Sequence, residues 1–388
     1  MPLPFAGAYP ASKPYPALML YPEPVMLIVD GHLDLGWLAI QWNRDITRSV
    51  PELRAGPYFA VPDTPGEPAR TDIVPSLGFP EMRQGRVGLC FATMLARSTG
   101  RPVPHYDYPS PQQAYAAAHG QLAYYRSLEK AGLMRSVRSV RALDGHVAEW
   151  ESWDKAPGGE APPIGYILAM EGADPILEPS QLAEWHAEGL RALSLSHFGT
   201  GRYAGGTASG LGLTALGPSL LKEMRRLRMI LDVSHLDEPG FREALGIWDG
   251  PVMASHSNCR ALVPHSRQLS DEQVREVVKR GGVIGSVFDA WMLVPGWERG
   301  KPGNVKFTME SVADHIDHVC QLAGSSRHAA IGSDIDGGFG KEQEPADMDT
   351  IADLQNLMGI LRKRGHSDAD LAAILHGNWL RLLREAWG

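Results

Sequence analysis

The sequence predicts an α/β fold, namely a (β/α)8 TIM-type barrel with long loops and C-terminal helices. Two observations support this prediction: eight short apolar runs have the character of strands, and stretches of helical period lie between them. A barrel of this kind is built from eight parallel strands that alternate with helices. A doubly wound open sheet shows the same alternation, so the pattern by itself leaves that second architecture open.

The predicted strands and helices follow one another along most of the chain. The strands cover residues 25–30, 86–93, 164–170, 191–195, 229–234, 251–255, 282–287 and 329–333. The helical stretches include residues 111–132, 214–228, 270–282 and 308–324. Ser270, followed three residues later by Gln273, is typical of a capping box at a helix start. Gly281 and Gly324 stand where a glycine commonly ends a helix.

Other segments do not fit the alternation of strand and helix. Residues 1–24 are rich in proline and tyrosine, which favours an extended N-terminal arm. We expect residues 25–388 to form a single barrel domain, with proline-rich insertions at about 43–83 and 97–112. The last forty residues have the pattern of amphipathic helices that pack outside the barrel.

Composition excludes several classes of protein. Hydrophobic residues make up 44% of the chain and charged residues 21%, which is ordinary for a globular protein with a large core. A net charge of −8 argues against nucleic acid as a partner. The chain has three cysteines, and this odd number without paired spacing favours free thiols in a reducing compartment. The N-terminus lacks the pattern of a signal peptide and no apolar run reaches 18 residues, so we expect a cytoplasmic protein without a membrane span.

Six of the eight predicted strands are followed closely by a histidine or a carboxylate. These residues are His32, Asp34, Glu171, His197, His235, His256 and Asp334. In an α/β barrel the C-terminal ends of all strands meet at one mouth, where active sites of this fold lie. For any one of these residues, a hydrogen-bonded structural role is the more common explanation. A purely structural explanation would, however, have to account for all six strand ends at once.

A metal centre is the hypothesis that explains this set of residues best. Imidazole and carboxylate groups suit Zn²⁺ and related ions, and the absence of cysteine from the set favours a catalytic site over a structural one. One ion needs three or four protein ligands. The larger set therefore predicts two ions, about 3.5–4 Å apart, that share a bridging carboxylate.

The spacing His-x-Asp of residues 32–34 is not diagnostic by itself, because it occurs at four other places in the chain. His105 lies in a proline-rich loop, His315 within a predicted helix, and His366 before a helix start. In the fourth case Asp237 precedes Glu-Pro and is expected to cap a helix, so only the neighbouring histidine should face the mouth.

Seven short motifs resemble those of a known family. In chain order they are DGHLDL, AMEGAD, LSLSH, LDVSH, ASHSN, PHSRQLSDEQ and IGSDIDGG. Together they are similar to the membrane (renal) dipeptidase family of binuclear zinc peptidases, which are metallo-dependent hydrolase-like barrels. The resemblance extends from about residue 26 to the GNWLRLL segment near the C-terminus.

The resemblance implies two zinc ions and a ligand set. His32 and Asp34 correspond to ligands of one ion, and His235 and His256 correspond to ligands of the other. Glu171 corresponds to the carboxylate that bridges both ions. These are the residues that the strand ends had already singled out.

The resemblance also implies the roles of three further residues. Asp334 corresponds to a residue that touches the first metal and transfers a proton, so that Asp334 and Glu171 would be the catalytic carboxylates. His197 and Arg267 correspond to substrate-binding groups, with Arg267 suited to hold a free carboxylate. The arginine is a residue that the strand pattern alone does not reveal.

The function implied is hydrolysis of dipeptides by a water bridged between two zinc ions, with L-D dipeptides among the candidate substrates. The same two-metal site could act on another amide, an N-acyl amino acid or a lactone, and a catalytically silent barrel that only binds partners is a third class. The family further implies a homodimer. Leu33, Gln268 and Ile335 depart from residues common in relatives, which leaves substrate preference open.

Overall fold

The computed structural model describes the chain from residue 25 onward, with four short gaps. The described ranges are 25–56, 73–103, 105–155, 161–301 and 303–388. The predicted N-terminal arm, residues 1–24, lies outside them, as do residues 57–72 of the first predicted insertion.

The strands form one parallel sheet in which each barrel strand pairs with the next. Within the described residues they are β1 (Ile28–Leu33), β2 (Val87–Leu95), β3 (Met134–Ser136), β4 (Ile164–Glu171), β5 (Leu190–Ser194), β6 (Ile230–Asp232), β7 (Val252–Ala254), β8 (Val283–Ser286) and β9 (Ala329–Ile331). Their order is β1-β2-β4-β5-β6-β7-β8-β9, and β3 pairs with β4 beside this path. All eight predicted runs overlap the eight strands of the path, whereas β3 was missed because three residues are too few to show a period.

Polar contacts between the two ends of the sheet bring β9 back to β1. The Asp334 N–H donates to the His32 carbonyl oxygen at 3.3 Å. The buried carboxylate of Asp30 accepts hydrogen bonds from the backbone N–H of Ser333 at 2.9 Å and from its hydroxyl at 2.5 Å. Closure of the sheet excludes the open, doubly wound alternative and confirms the predicted barrel.

Helices follow most strands and surround the barrel. They are α1 (Leu35–Gln41), α2 (Val50–Ala55), α3 (Phe79–Gln84), α4 (Pro111–Lys130), α5 (Val140–Lys155), α6 (Leu182–Ala187), α7 (Gly217–Arg226), α8 (Glu238–Ile247), α9 (Asp271–Lys279), α10 (Ala290–Leu293), α11 (Glu310–Ala323), α12 (Leu357–Lys363), α13 (Asp368–Ala372) and α14 (Asn378–Trp387). Among the described residues, none of these helices is both long and apolar enough to cross a membrane.

The predicted helix boundaries agree with the structure where they can be compared. The capping box of Ser270 and Gln273 begins α9, and Asp237 accepts a hydrogen bond from the Glu238 N–H at the start of α8. Gly281 and Gly324 have φ values of +73° and +69°, which glycine adopts without steric cost. Local capping chemistry is therefore readable from sequence in these helices.

Part of the first predicted insertion lies near the mouth of the barrel. Helix α2 precedes the gap at residues 57–72, and residues 73–78 follow that gap. Asp336, which follows β9, accepts hydrogen bonds from the N–H groups of Ser76 and Leu77 at 3.1 and 3.0 Å. Its other oxygen lies 3.0 Å from Nη1 of the buried Arg44. These bonds hold the insertion against the loop that follows the last strand.

Side chains from alternate strand positions fill the barrel and are covered at the end opposite the mouth by α5 and α14. Trp379 of α14 is fully buried in this inner cluster, with its ring 5.3 Å from that of Phe91. Its indole N–H donates to the Ile331 carbonyl oxygen at 2.9 Å. A Cβ on Gly31 would approach the Trp379 ring to 2.4 Å, so the strand packs closely on it. The C-terminal helix thus contributes to the inner core, whereas the sequence pattern indicated only packing outside the barrel.

Replacement of Trp379 by alanine should lower the free energy of unfolding by about 3–5 kcal/mol, because it leaves a cavity and an unpaired carbonyl oxygen. Urea denaturation measures this loss. Ile247→Ala, at a side chain that is 52% exposed, is the control and should change the free energy by less than about 0.5 kcal/mol. Equal effects of the two substitutions would contradict the assignment of Trp379 to the inner core.

Candidate active site

The structure brings the predicted site residues together at the C-terminal end of the barrel strands. All but Asp334 are buried, and the Asp334 side chain is 15% exposed. The group consists of His32, Asp34, Glu171, His197, His235, His256, Arg267 and Asp334. His32 and Glu171 lie within the last residues of β1 and β4, whereas the sequence pattern ended the first strand at residue 30. The apolar run ends at Asp30, but the strand continues through Gly31 and His32 with an irregular pairing to β2.

Glu171 occupies the centre of the group. Its Oε1 lies 2.9 Å from Nε2 of His235 and 3.2 Å from Nε2 of His256. Its Oε2 lies 3.6 Å from Nε2 of His32. Within the described part of the chain, Oε1 of Glu171 and Nε2 of His32 are buried atoms without a hydrogen-bond partner. Three imidazole nitrogens that converge on one carboxylate, with two of these buried atoms unsatisfied, fit a cation between them.

The ligand atoms form two neighbouring sets that share Glu171. In the first set, Nε2 of His32 lies 3.6 Å from Asp34 Oδ2 and 3.9 Å from Asp334 Oδ1. In the second set, the Nε2 atoms of His235 and His256 lie 3.0 Å apart. The donors are imidazoles and carboxylates without thiolate, a combination that suits two divalent ions of the zinc type.

His197 lies close enough to compete with His256 for the second set. Ligand atoms of Glu171, His197 and His235 lie within 4.8 Å of one another, and Nε2 of His197 is 3.8 Å from Glu171 Oε2. Distance alone therefore does not separate a ligand from a substrate-binding group at this position.

Hydrogen bonds behind the site orient the histidines. Ser255 Oγ lies 2.7 Å from Nδ1 of His256 and donates to Asp232 Oδ2 at 2.6 Å. Thr207 Oγ1 lies 3.0 Å from Nδ1 of His235. Asp232, Ser255 and Thr207 were not singled out from sequence, although the first two stand within three residues of a predicted ligand. Groups of this kind commonly determine which ring nitrogen can bind a metal.

Burial and neighbouring charge shift the ionisation of the site. Burial raises the pKa of Glu171 to about 8 and that of Asp334 well above its usual value. Burial alone would lower the pKa of His32, but the charges of Glu171 and Asp34 outweigh it and raise the pKa to about 10. In the protein without metal, a proton on His32 thus balances the carboxylates. A divalent cation would take over this role.

Arg267 is buried beside the second set of ligands. Its Nη1 donates to the Ser234 carbonyl oxygen at 2.8 Å and to Ser257 Oγ at 3.1 Å. Its Nη2 donates to the His256 carbonyl oxygen at 2.8 Å and lies 3.1 Å from Nε2 of His235. Protein groups thus engage both Nη1 and Nη2, so a substrate carboxylate would have to use the Nε–H group or displace one of these contacts.

A cleft above these residues contains about 810 Å³ of empty space, including its open mouth. Aromatic side chains form much of its wall, namely Trp37, Trp42, Tyr106, Phe198 and Trp291. Aromatic walls beside a few polar groups are typical of a site for a small molecule. The cleft therefore places such a site directly beside the candidate metal ligands.

Two charged residues near the cleft are not among those predicted from the sequence. Arg97 follows β2 and Asp289 follows β8, the two strand ends for which no polar residue had been identified. Asp289 lines the cleft, and burial raises its pKa to about 7 although the charge of Arg299 lowers it. Arg97 contacts His197 from behind, with 3.3 Å between Nη1 and Nδ1. A search for polar residues a few positions beyond the end of each strand would have revealed both Arg97 and Asp289.

The remaining His-x-Asp histidines lie elsewhere. His315 is buried in α11, where its Nδ1 accepts a hydrogen bond from the Cys259 N–H at 3.0 Å. His366 pairs with Asp317 at 2.7 Å, and His105 is exposed, in a loop with φ of +65°. Only the triplet at residues 32–34 places both of its polar side chains among the candidate ligands.

Comparison with known proteins identifies relatives of this barrel. Dipeptidase aclJ of Aspergillus oryzae is 29% identical over 314 residues, which are 79% of this chain and 68% of the relative. The crystal structure of dipeptidase AC, a metallopeptidase of family M19, superposes with a TM-score of 0.73 and 26% identity over 94% of this chain and 100% of that one.

A second solved structure contains a substrate mimic. It is a metallopeptidase from Rhodobacter sphaeroides with a phosphinate mimic of the dipeptide L-Ala-D-Ala, with a TM-score of 0.72 and 26% identity over 94% of this chain and 100% of that one. The family model described as membrane dipeptidase, peptidase family M19, matches residues 24–387. The chain therefore belongs to the membrane dipeptidase family, peptidase family M19, and is a hydrolase of the metallopeptidase class.

Proposed function

We propose that the protein hydrolyses the peptide bond of dipeptides, with a water bridged between two zinc ions as the nucleophile. The observation that supports this proposal most directly is the position of Glu171 between two sets of imidazole and carboxylate ligands. The Rhodobacter sphaeroides relative binds a mimic of an L-D dipeptide, so we include L-D dipeptides among the proposed substrates.

The metal ligands we propose are His32 and Asp34 for one ion, His235 and His256 for the other, and Glu171 for both. Zinc at this place, when bound, would lower the pKa of water and polarise the carbonyl group of the substrate. The protein contributes a rigid arrangement, since all five ligand side chains are buried at the ends of barrel strands.

Asp334 is the proposed proton carrier. Its Oδ1 lies 3.9 Å from Nε2 of His32, next to the first set of ligands, and its side chain retains 15% exposure toward the cleft. A carboxylate in this position can accept the proton of the attacking water. The proton then moves to the amine nitrogen as the C–N bond breaks.

Arg267 is the proposed contact for the free α-carboxylate of the substrate. It is buried, lines the cleft, and keeps its orientation through hydrogen bonds to Ser234, Ser257 and His256. A carboxylate next to this charge would be favoured in a dipeptide, whereas an internal peptide bond offers none. This contact would restrict the length of the substrate.

The experiment that tests this function combines metal analysis with a panel of L-L and L-D dipeptides. We expect about two zinc ions per chain, loss of hydrolysis on chelation and its return with added zinc. Arg267→Met should raise KM for free dipeptides on the order of 100-fold, whereas dipeptide amides, which lack the carboxylate, should be affected little. Protein without stoichiometric metal would contradict the proposal.

A second candidate keeps the two ions but changes the substrate to another amide, an N-acyl amino acid or a lactone. The engagement of both Nη1 hydrogens of Arg267 by protein oxygens is the observation that favours it. If Arg267→Met leaves KM unchanged while such compounds are hydrolysed, this candidate replaces the first.

Two further predictions concern the protein as a whole. We propose a cytoplasmic location, on the basis of the three cysteines, which have no paired spacing in the sequence. We also propose a homodimer, which the family resemblance implies. Sizing chromatography tests the dimer, and fractionation of cells tests the location.

A further inference from the structure

His197 has two ring nitrogens in different surroundings. Its Nε2 points toward the candidate metal site and lies 3.8 Å from Glu171 Oε2. Its Nδ1 faces the opposite way, 3.3 Å from Nη1 of Arg97. Both residues are buried, with 8% and 7% of their surfaces exposed. The contact behind His197 thus comes from Arg97, at the start of the second predicted insertion.

A guanidinium group can only donate hydrogen bonds, and a neutral imidazole has one donor and one acceptor nitrogen. Arg97 therefore requires Nδ1 of His197 to be the acceptor. The proton of the neutral ring must then reside on Nε2, the nitrogen that points into the site. In this tautomer Nε2 cannot bind a metal, but it can donate a hydrogen bond.

The two histidines proposed as ligands of the second ion, His235 and His256, have the opposite arrangement. Ser255 donates its hydroxyl hydrogen to Asp232, so its oxygen is free to accept from Nδ1 of His256. Nδ1 of His235 lies 3.0 Å from the hydroxyl of Thr207, which can likewise accept. A proton on Nδ1 leaves the lone pair on Nε2, which is the form in which a ring can bind a cation. In His235 this lone pair also faces Nη2 of Arg267, at 3.1 Å. The partners of Nδ1 thus distinguish the histidines that can bind a metal through Nε2 from the one that donates a hydrogen bond through Nε2. The distances to Glu171 do not make this distinction.

Arg97 is held in place by its own loop. Its N–H donates to the Tyr106 carbonyl oxygen at 3.3 Å, and its carbonyl oxygen accepts from the Tyr108 N–H at 2.8 Å. The guanidinium carbon lies 3.8 Å from the centre of the Tyr106 ring, and Nε lies 3.5 Å from Asp107 Oδ2. Asp107 in turn accepts two hydrogen bonds from Thr99, at 2.9 and 2.5 Å.

We propose that Arg97 is a positioning residue, which holds His197 in the tautomer with its proton on Nε2. The Nε2–H group then donates to the carbonyl oxygen of the substrate as negative charge develops there. This inference rests on the proposed dipeptide hydrolysis. Donors placed in advance toward such an oxygen are among the largest contributions to catalysis. Arg97 therefore acts on the reaction through Nδ1 of His197, the ring nitrogen that faces away from the candidate metal site.

The first test measures kinetics. Arg97→Met removes the donor and retains most of the volume, and it should lower kcat by about 10- to 100-fold with KM changed by less than about threefold. Zinc content should stay the same. Arg97→Lys retains a charged donor and should recover part of the loss. Arg101→Met, at an exposed arginine of the same loop, is the matched control and should behave as the wild type.

The second test asks whether Arg97 acts through His197. In a His197→Gln background, where a side-chain amide replaces the ring, Arg97→Met should cause little further loss of kcat. An arginine that only stabilises its loop would lower activity equally in both backgrounds. Equal losses would overturn the proposal.

The third test observes the tautomer directly. Long-range ¹⁵N–¹H NMR of histidine side chains, with the His197 signal assigned by its loss in His197→Gln, should show a protonated Nε2 and a bare Nδ1. In Arg97→Met the ring should shift toward the other tautomer. A bare Nε2 in the wild type would overturn the inference. Because this measurement needs no turnover, it distinguishes failure of the tautomer from failure of the proposed dipeptidase function, which the metal and substrate assays report.

Discussion

Replacement of Glu171 by glutamine should abolish hydrolysis and release bound zinc. Glu171 contributes an oxygen to both sets of ligands, at 2.9 and 3.2 Å from His235 and His256 and at 3.6 Å from His32. A neutral amide of the same shape removes the negative charge that both ions would share. We expect kcat/KM to fall by more than about 10⁴-fold, since the lost stabilisation of the transition state amounts to several kcal/mol.

Metal analysis separates this result from simple unfolding. The Glu171→Gln protein should retain its circular dichroism spectrum while it contains fewer zinc ions than the wild type. Glu81→Gln, at another buried glutamate that lies in α3 outside the cleft, is the matched control and should retain both activity and metal. A Glu171→Gln enzyme with full zinc content would show that this carboxylate does not bridge the ions.

Replacement of Asp334 by asparagine should lower kcat by about 10³- to 10⁴-fold while zinc remains bound. The carboxylate would no longer accept the proton of the attacking water or pass it to the leaving amine. Asparagine suits the backbone at this position, because φ is +59° and asparagine tolerates the left-handed region better than most residues. Retained zinc is the feature that distinguishes this variant from Glu171→Gln.

A rescue experiment makes the role of Asp334 specific. Asp334→Gly removes the side chain at a φ that glycine adopts freely. Added formate, a small carboxylic acid, should restore part of the lost kcat if the missing function is proton transfer. Full activity of Asp334→Asn would show that another group transfers the proton.

The candidate ligands were predictable because their signal is local. Each stands at or just beyond the end of an apolar run, as with Glu171 at the end of β4 and His235 after β6. Once the runs are recognised as parallel strands, barrel geometry places their C-terminal ends at one mouth. The identity of the family added Arg267, which lies well beyond the end of its strand and has no local pattern of its own.

The supporting residues were not predictable from such patterns. Asp232 and Ser255 are adjacent only because β6 and β7 pair, and Arg97 reaches His197 across 100 positions of sequence. The roles of Nδ1 and Nε2 in each histidine depend on these partners, and ring chemistry alone does not specify them. Likewise, the short β3 and the inner position of Trp379 follow from packing against β4 and the other strands.

The sequence by itself thus determined the alternation of strands and helices, the capping of α8 and α9, and the set of polar residues at the mouth. Each of these features depends on residues only a few positions apart, such as the period within one helix or strand, or the polar residue that follows the end of a strand. Only the tertiary structure decided that the sheet closes, that Asp232 and Ser255 lie behind His256, and that Arg97 stands behind His197. Contacts between distant segments depend on how the barrel closes and packs, and no local period in the sequence encodes them.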